Sequence, residues 1–202
     1  QILLVLSSDH LIKSKEKFVE TINEAFKIAN EDKLVLFGIN PTSPETGYGY
    51  IKSGETFIID DTLSFKIKKF VEKPNLTLAK KLISEGGYTW NSGIFVFKTK
   101  IILNELEKFE ADLIGNCKNA LIRGFKDLEF QRLDKNYFDK CRNISIDKAI
   151  MEKTDLGTVI TFEDHWSDLG SWESVWANEE KDNNGNVLDG KILTNRVSNS
   201  LI

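Results

Sequence analysis

Histidine and cysteine are both scarce in this sequence, which carries two of each in 202 residues. With only His10 and His165 available, neither a histidine-based catalytic triad nor a poly-histidine metal site is expected. Cys117 and Cys141 stand far apart in the chain, outside CxxC or CxxH spacing, so neither zinc nor a disulfide framework is suggested. Reduced thiols in a cytoplasmic protein are the expectation. The formal net charge is -4 and no basic run exceeds two residues, so the electrostatic footprint of a nucleic-acid binder is missing. No stretch approaches the roughly 20 apolar residues of a membrane span. Ile2-Leu3-Leu4-Val5-Leu6 follows Gln1 with no charged segment or cleavage site, which argues against a signal peptide. Chemistry, if any, falls to carboxylates, lysines and a metal.

What the sequence does have is a series of apolar runs separated by capped amphipathic segments. At 41% hydrophobic, it can build one sizeable domain, or a domain and a small appendage. Residues 2–6 predict a buried strand, an unusual opening that suggests a fragment of something longer. Ser14 predicts an N-cap for a helix over 15–30, with Phe18, Ile22, Ala25, Phe26 and Ala29 on one face. Residues 34–39 predict a second buried strand, making a βαβ-like unit with a parallel pair. Residues 41–49 read as a loop stiffened by prolines and opened by glycines. Residues 50–52 and 57–59 predict short antiparallel strands around Ser53-Gly54-Glu55. The alternating run 65–71 predicts a strand that Pro74 stops. Asn75 predicts the cap of a helix over 76–84 that ends at Gly86-Gly87. Gly-Ile-Phe-Val-Phe (93–97) predicts a buried strand, followed by helices over 99–109 and 111–123. Residues 127–143 predict helix and loop, and 145–153 a further helix capped by Ser145. A strand at 159–162 and a short helix through Trp176 complete the main body over 1–182. Residues 183–202, with spaced small apolar residues and turn signals, read as the start of a C-terminal β-helical segment.

Two places set polar groups directly against core strands. Glu72 and Lys73 end the 65–71 strand, and Asn91 precedes the 93–97 strand. A carboxylate, an ammonium and an amide there suit a ligand rich in hydroxyls and phosphate. A solvated strand end and a turn residue account for the same residue types equally well. Asp9 follows the first strand, at the end where open α/β sheets bind ligands, and is a candidate for a divalent cation. Capping a turn is its other reading.

Six blocks together resemble the sugar-phosphate nucleotidyltransferases. Ser-Ser-Asp-His-Leu-Ile (7–12), Pro-Thr-Ser-Pro-Glu-Thr-Gly-Tyr-Gly-Tyr-Ile (41–51) and Phe-Val-Glu-Lys-Pro (70–74) carry the likeness to the family. Trp-Asn-Ser-Gly-Ile-Phe-Val-Phe (90–97), Ser-Ile-Asp-Lys-Ala-Ile-Met-Glu-Lys-Thr (145–154) and Trp-Ser-Asp-Leu-Gly-Ser-Trp (166–172) narrow it to the mannose-1-phosphate guanylyltransferase branch. The resemblance implies an α/β fold with a Rossmann-like mixed, mostly parallel sheet flanked by helices. It implies formation of GDP-mannose and pyrophosphate from GTP and mannose 1-phosphate with Mg2+. Asp9 and Asp168 would hold the metal and, with Lys73 at the sugar phosphate, form the catalytic set. Glu72, Lys73, Asn91, Asp147 and the Gly49 backbone would bind the substrate.

Departures from the family pattern are Ser8, where an alanine is usual before Asp-His, and Lys148, where an aromatic residue is usual. The family's glycine-rich nucleotide loop, with its following arginine and nearby lysine, is also missing from these residues. That loop wraps nucleotide phosphates with backbone N–H groups, so little transferase activity is expected of the chain alone. A non-catalytic sugar-phosphate-binding or regulatory subunit is one alternative. Another sugar 1-phosphate, such as glucose 1-phosphate with dTTP, is the second. Two-function relatives carry a sugar-isomerase domain further on, and a homodimer is possible.

Overall fold

Leu34–Ile39 is buried along its whole length, and a six-stranded sheet is built around it. The computed structural model describes all of residues 1–202. In chain order the elements begin β1 (Ile2–Val5), β2 (Leu11–Ile12), α1 (Lys15–Ala29), β3 (Leu34–Ile39), β4 (Tyr50–Ile59) and β5 (Thr62–Val71). Next come α2 (Leu76–Glu85), β6 (Tyr88–Lys98), α3 (Thr99–Phe109), α4 (Ala111–Ile122), β7 (Phe125–Asp127), β8 (Phe130–Arg132) and α5 (Lys135–Phe138). A π-helical turn (Asp147–Met151) leads to β9 (Gly157–Thr161), β10 (Trp166–Ser167) and α6 (Trp172–Asn178). No helix is long and apolar enough to cross a membrane.

The main sheet runs β1-β6-β3-β9-β5-β4. Side chains alternate across β3, as strand geometry requires. Val35 and Phe37 enter a core with Ala25 and Ile28 of α1 and Ala79 and Leu82 of α2. Leu34 and Leu36 enter another with Ile102 of α3 and Ala149, Ile150 and Met151 of the π-helical turn. Helices thus cover both faces, as expected. Burying each such aliphatic or aromatic side chain contributes about 1.5–3 kcal/mol. Ser14 caps α1 by accepting from the Lys17 amide at 3.3 Å, and Asn75 caps α2 by accepting from the Leu78 amide at 2.9 Å.

The strand directions correct the expectation of a mostly parallel sheet. Only β3 and β9 pair parallel; every other pairing in the sheet is antiparallel. β1 and β3 do point the same way, joined through α1, but β6 lies between them, antiparallel to both. An apolar run buried on both faces carries no mark of its neighbour's direction, which is why the sequence misleads here. Residues 50–59 are one strand hairpinned to β5 through Asp60-Asp61, both at positive φ (44° and 63°), so the two short strands expected there are one. Residues 127–143, expected as helix and loop, hold the short helix α5 but also the end of β7 and all of β8, a hairpin that was not expected.

Between residues 183 and 202, where the start of a β-helical segment is expected, the pairing is one isolated parallel bridge, Val187 to Leu201. Buried Asn186 organises this segment, donating to Asp182 and to the Val197 carbonyl and accepting from the Ser200 amide. Cys117 and Cys141, distant in sequence, meet in space with their Sγ atoms 3.7 Å apart.

Candidate functional site

β6 is long enough to serve two partners on the edge opposite β3. Its second half, Phe95–Lys98, pairs with β1, and its first half, Tyr88–Trp90, pairs with β4. Between them Asn91, Ser92 and Gly93 face a gap in the sheet. The end of β1 leads into this gap, and Gly49 enters it just ahead of β4. A second ribbon, β2 against β10, pairs Leu11 with Ser167 and so brings the residues before β2 beside those after β10.

The resulting cleft, about 230 Å³, is lined by both predicted acidic substrate ligands, Glu72 and Asp147, with Lys73, Asn91, Gly49 and Asp168. Six of the seven site residues expected from sequence therefore converge, drawn from five separate segments. Asp9 is the exception: it is exposed and does not line the cleft, though Ser7 and His10 on either side of it do.

Each lining group is positioned by a local device. The Asn91 amide nitrogen donates to Asp147 Oδ1 at 2.9 Å, and its Oδ1 accepts from the Gly93 N–H at 3.2 Å. One side-chain N–H of Asn91 is thereby left for a ligand. The Asn91 backbone N–H donates to the Gly49 carbonyl at 2.8 Å, fixing the loop against the strand. Gly93, at φ +74°, makes the kink that lets the side-chain carbonyl reach back. Asp147 opens the π-helical turn, where the Glu152 N–H donates to the Asp147 carbonyl at 2.9 Å. Such turns recur at functional sites because the extra residue pushes a side chain out of helical register.

Lys73 stands at φ +45° just before Pro74, a left-handed backbone that costs about 1–2 kcal/mol for a residue with a Cβ. It turns the chain sharply after β5, leaving the Glu72 side chain 9% exposed and the Lys73 side chain 64% exposed. Their charged ends are 3.8 Å apart. Burial raises the Glu72 carboxyl above its ordinary range, and the nearby Asp147 charge adds to this. Asp147 is raised as well, chiefly by burial. Two half-hidden carboxylates facing one polar space are matched to a ligand that donates hydroxyl hydrogens.

Tyr48 was not among the expected site residues. Its hydroxyl donates to Asp168 Oδ1 at 2.7 Å, and its ring packs edge-on against Trp90 and Trp166, with centroids 5.2 and 5.4 Å away. Burial, then the Asp168 carboxylate, hold the phenol protonated far above its usual range. The sequence did offer a signal, an aromatic residue held between Gly47 and Gly49. His10 packs edge-on against Trp166 at 5.3 Å.

Asp168 Oδ1 also accepts from the Gly170 N–H at 3.0 Å, while Oδ2 takes no hydrogen bond from the chain. Nowhere do three histidine, cysteine or acidic side chains gather as a metal cage. The oxygen donors at hand suit a hard cation that needs one or two carboxylates and completes its shell with phosphate and water, as magnesium does.

A family model described as nucleotidyl transferase matches residues 1–185. A mannose-1-phosphate guanylyltransferase of Salmonella montevideo is 45% identical over 201 residues, covering 98% of this chain and 42% of that protein. Mannose-1-phosphate guanylyltransferase 2 of Escherichia coli O157:H7 is 42% identical over 205 residues, covering 100% of this chain and 42% of that protein. This chain spans less than half the length of these curated relatives. Among solved structures, a Thermus thermophilus protein titled mannose-1-phosphate geranyltransferase superposes with a TM-score of 0.77 at 29% identity. The match covers 94% of this chain and 53% of that one.

Proposed function

Because the chain belongs to the nucleotidyl transferase family, we propose that its cleft binds mannose 1-phosphate for guanylyl transfer from GTP, with release of pyrophosphate and GDP-mannose. The observation that carries this reading is the convergence of Glu72, Lys73, Asn91, Asp147, Asp168 and Gly49 on one polar cleft. Names of relatives similar along the whole chain supply the sugar and the base.

The chemistry asks little covalent help of the protein. A phosphate oxygen of mannose 1-phosphate attacks the α-phosphorus of GTP, the bond to the β-phosphate oxygen breaks, and pyrophosphate leaves. The attacking oxygen is already ionised, so no residue has to remove a proton. What must be overcome is the repulsion of two polyanions and the entropy of aligning them. Glu72 and Asp147 accept from sugar hydroxyls and Asn91 donates to one, fixing the ring. Lys73, flexible and exposed, follows the sugar phosphate and neutralises it. The Gly49 backbone closes the pocket wall.

Asp168, whose Oδ2 takes no hydrogen bond from the chain, would hold a magnesium ion; Asp9, exposed and outside the cleft lining, is left out of that proposal. When bound, that ion offsets phosphate charge. Tyr48 keeps the Asp168 carboxylate turned toward the cleft.

Titration calorimetry tests the sugar assignment. Mannose 1-phosphate with magnesium should bind the wild-type chain and bind at least about ten-fold more weakly to Glu72→Gln, as expected when a charge-assisted hydrogen bond is lost. Glucose 1-phosphate should bind more weakly than the mannose ester. Equal affinities for the two sugars, or an unaffected Glu72→Gln variant, would remove the basis for the reading. Pyrophosphate release from GTP on adding mannose 1-phosphate reads the transfer step.

A further inference from the structure

Outside the cleft, the two cysteines form the clearest reactive pair in the molecule. Cys117 lies on the exposed surface of α4, and Cys141 follows α5, half-buried. Their Sγ atoms are 3.7 Å apart although 24 positions separate them in the chain. A disulfide would bring the two sulfurs to about 2.05 Å, a further approach of less than about 2 Å from their present contact. The α4 and α5 segments are held together independently of the thiols. The Asp134 N–H at the start of α5 donates to the Ala120 carbonyl near the end of α4 at 2.8 Å.

We infer that Cys117 and Cys141 are a reversible oxidation site, forming an intramolecular disulfide by exchange with a low-molecular-weight disulfide such as oxidised glutathione. Exposed Cys117 reacts first. Its thiolate attacks one sulfur of the small disulfide, a sulfur–sulfur bond forms, and one small thiolate leaves. Cys141, whose thiol burial and its neighbour hold protonated, then loses its proton to solvent. Its thiolate attacks Cys117 Sγ and expels the second small thiolate. Two protein thiols are thereby oxidised by two electrons, and one small disulfide is reduced to two thiols.

The bond would close a ring holding the β7–β8 hairpin and α5, and would anchor the chain just ahead of Arg142. Arg142 pairs with buried Glu110, which Lys153 also reaches at 2.7 Å beyond the π-helical turn. The staple would therefore sit at the start of the segment that delivers Asp147 to the cleft. It leaves the cleft residues themselves untouched, so the inference stands or falls independently of the sugar assignment.

The test is to incubate the reduced chain with oxidised glutathione, quench with acid, and analyse intact mass and peptides. The expected product is lighter than the reduced chain by two hydrogens, has no free thiol, and yields one peptide pair joined through Cys117 and Cys141. Reductant should restore both thiols. Cys117→Ser and Cys141→Ser should each stop at the mixed disulfide with glutathione. Retention of both free thiols, accumulation of wild-type chain as the mixed disulfide alone, or disulfides only between chains would overturn the inference. Because the wild-type chain answers alone, a variant that fails to fold leaves the test intact.

Discussion

The hydroxyl of Tyr48 reaches the Asp168 carboxylate at 2.7 Å across 120 positions of sequence. Two tryptophans, Trp90 and Trp166, clamp the Tyr48 ring edge-on. The carboxylate is thus aimed by a rigid group rather than left to sample rotamers; for the proposed role of Asp168 as a cation ligand, outer hydrogen bonds of this kind commonly change metal affinity about 10–100-fold. Tyr48→Phe should keep the ring packing and lose only the hydrogen bond. Manganese binding in the presence of mannose 1-phosphate should weaken at least about ten-fold, with little change in melting temperature. Unchanged manganese affinity would remove Tyr48 from this positioning role.

Gly49 is required for space. A Cβ there would meet Glu72 Oε2 at 2.9 Å, Phe70 Cζ at 3.0 Å and Asn91 Cβ at 3.3 Å. Phe70 is core and Asn91 is pinned to the Gly49 carbonyl, so the Glu72 carboxylate is the atom group that must yield. Gly49→Ala should cost about 1–3 kcal/mol of stability and displace Glu72 from the position in which it is proposed to accept sugar hydroxyls. Mannose 1-phosphate affinity should then fall. Gly115→Ala, where an added Cβ meets nothing within 4 Å, should leave affinity unchanged. Calorimetry with thermal melts on both variants measures the two effects together.

Much of this site could be read from residue types because strand ends and caps are local. Ser14 and Asn75 cap helices within a residue or two of their expected bounds, since an N-cap depends on the neighbouring three residues. Glu72, Lys73 and Asn91 stand out by residue type at strand ends, whereas Asp147 is reached only through a block that resembles a family. Strand direction was not legible: Leu34–Ile39 would be equally apolar beside a parallel or an antiparallel neighbour, and the insertion of β6 between β1 and β3 is a long-range event. The gap left along β6 by two partners on one edge follows from that insertion, so no local pattern foretells it. The Cys117–Cys141 contact escaped for the same reason, since the residues between them carry no spacing rule.

Glu72 and Asp147 share one polar space, and the folded chain raises both carboxyls above their ordinary values of 4.5 and 3.8. The folded state therefore holds their protons more readily than the unfolded state. Their ionisation costs folding stability as pH rises from the ordinary carboxylate range through the raised values. Glu72→Gln combined with Asp147→Asn should accordingly flatten the fall in melting temperature over that window. Sugar binding has the opposite sign, because accepting hydroxyl hydrogens is best done by the ionised groups. Mannose 1-phosphate affinity of the wild-type chain should drop as pH falls into the same window. Thermal melts and titrations at matched pH values separate the two trends, and parallel slopes would contradict this account of the pair.

Glu110 works in the other direction. Its side chain is 3% exposed between α3 and α4, where it accepts from Lys153 Nζ at 2.7 Å and pairs with Arg142. The Lys153 hydrogen bond, then that of Arg142, hold its carboxyl below the ordinary value of 4.5. Stability from such a group is fully present above the unfolded value and is lost as pH falls through the folded one. Both cations reach solvent, so the buried carboxylate is the member whose loss leaves a hole in the network. Glu110→Gln should lower the melting temperature at neutral pH, and the gap to wild type should close as acid protonates Glu110 itself. A constant gap from neutral to acid pH would show that the substitution acts through packing, leaving no separate contribution from the charge that joins Arg142 and Lys153 on either side of the Asp147 turn.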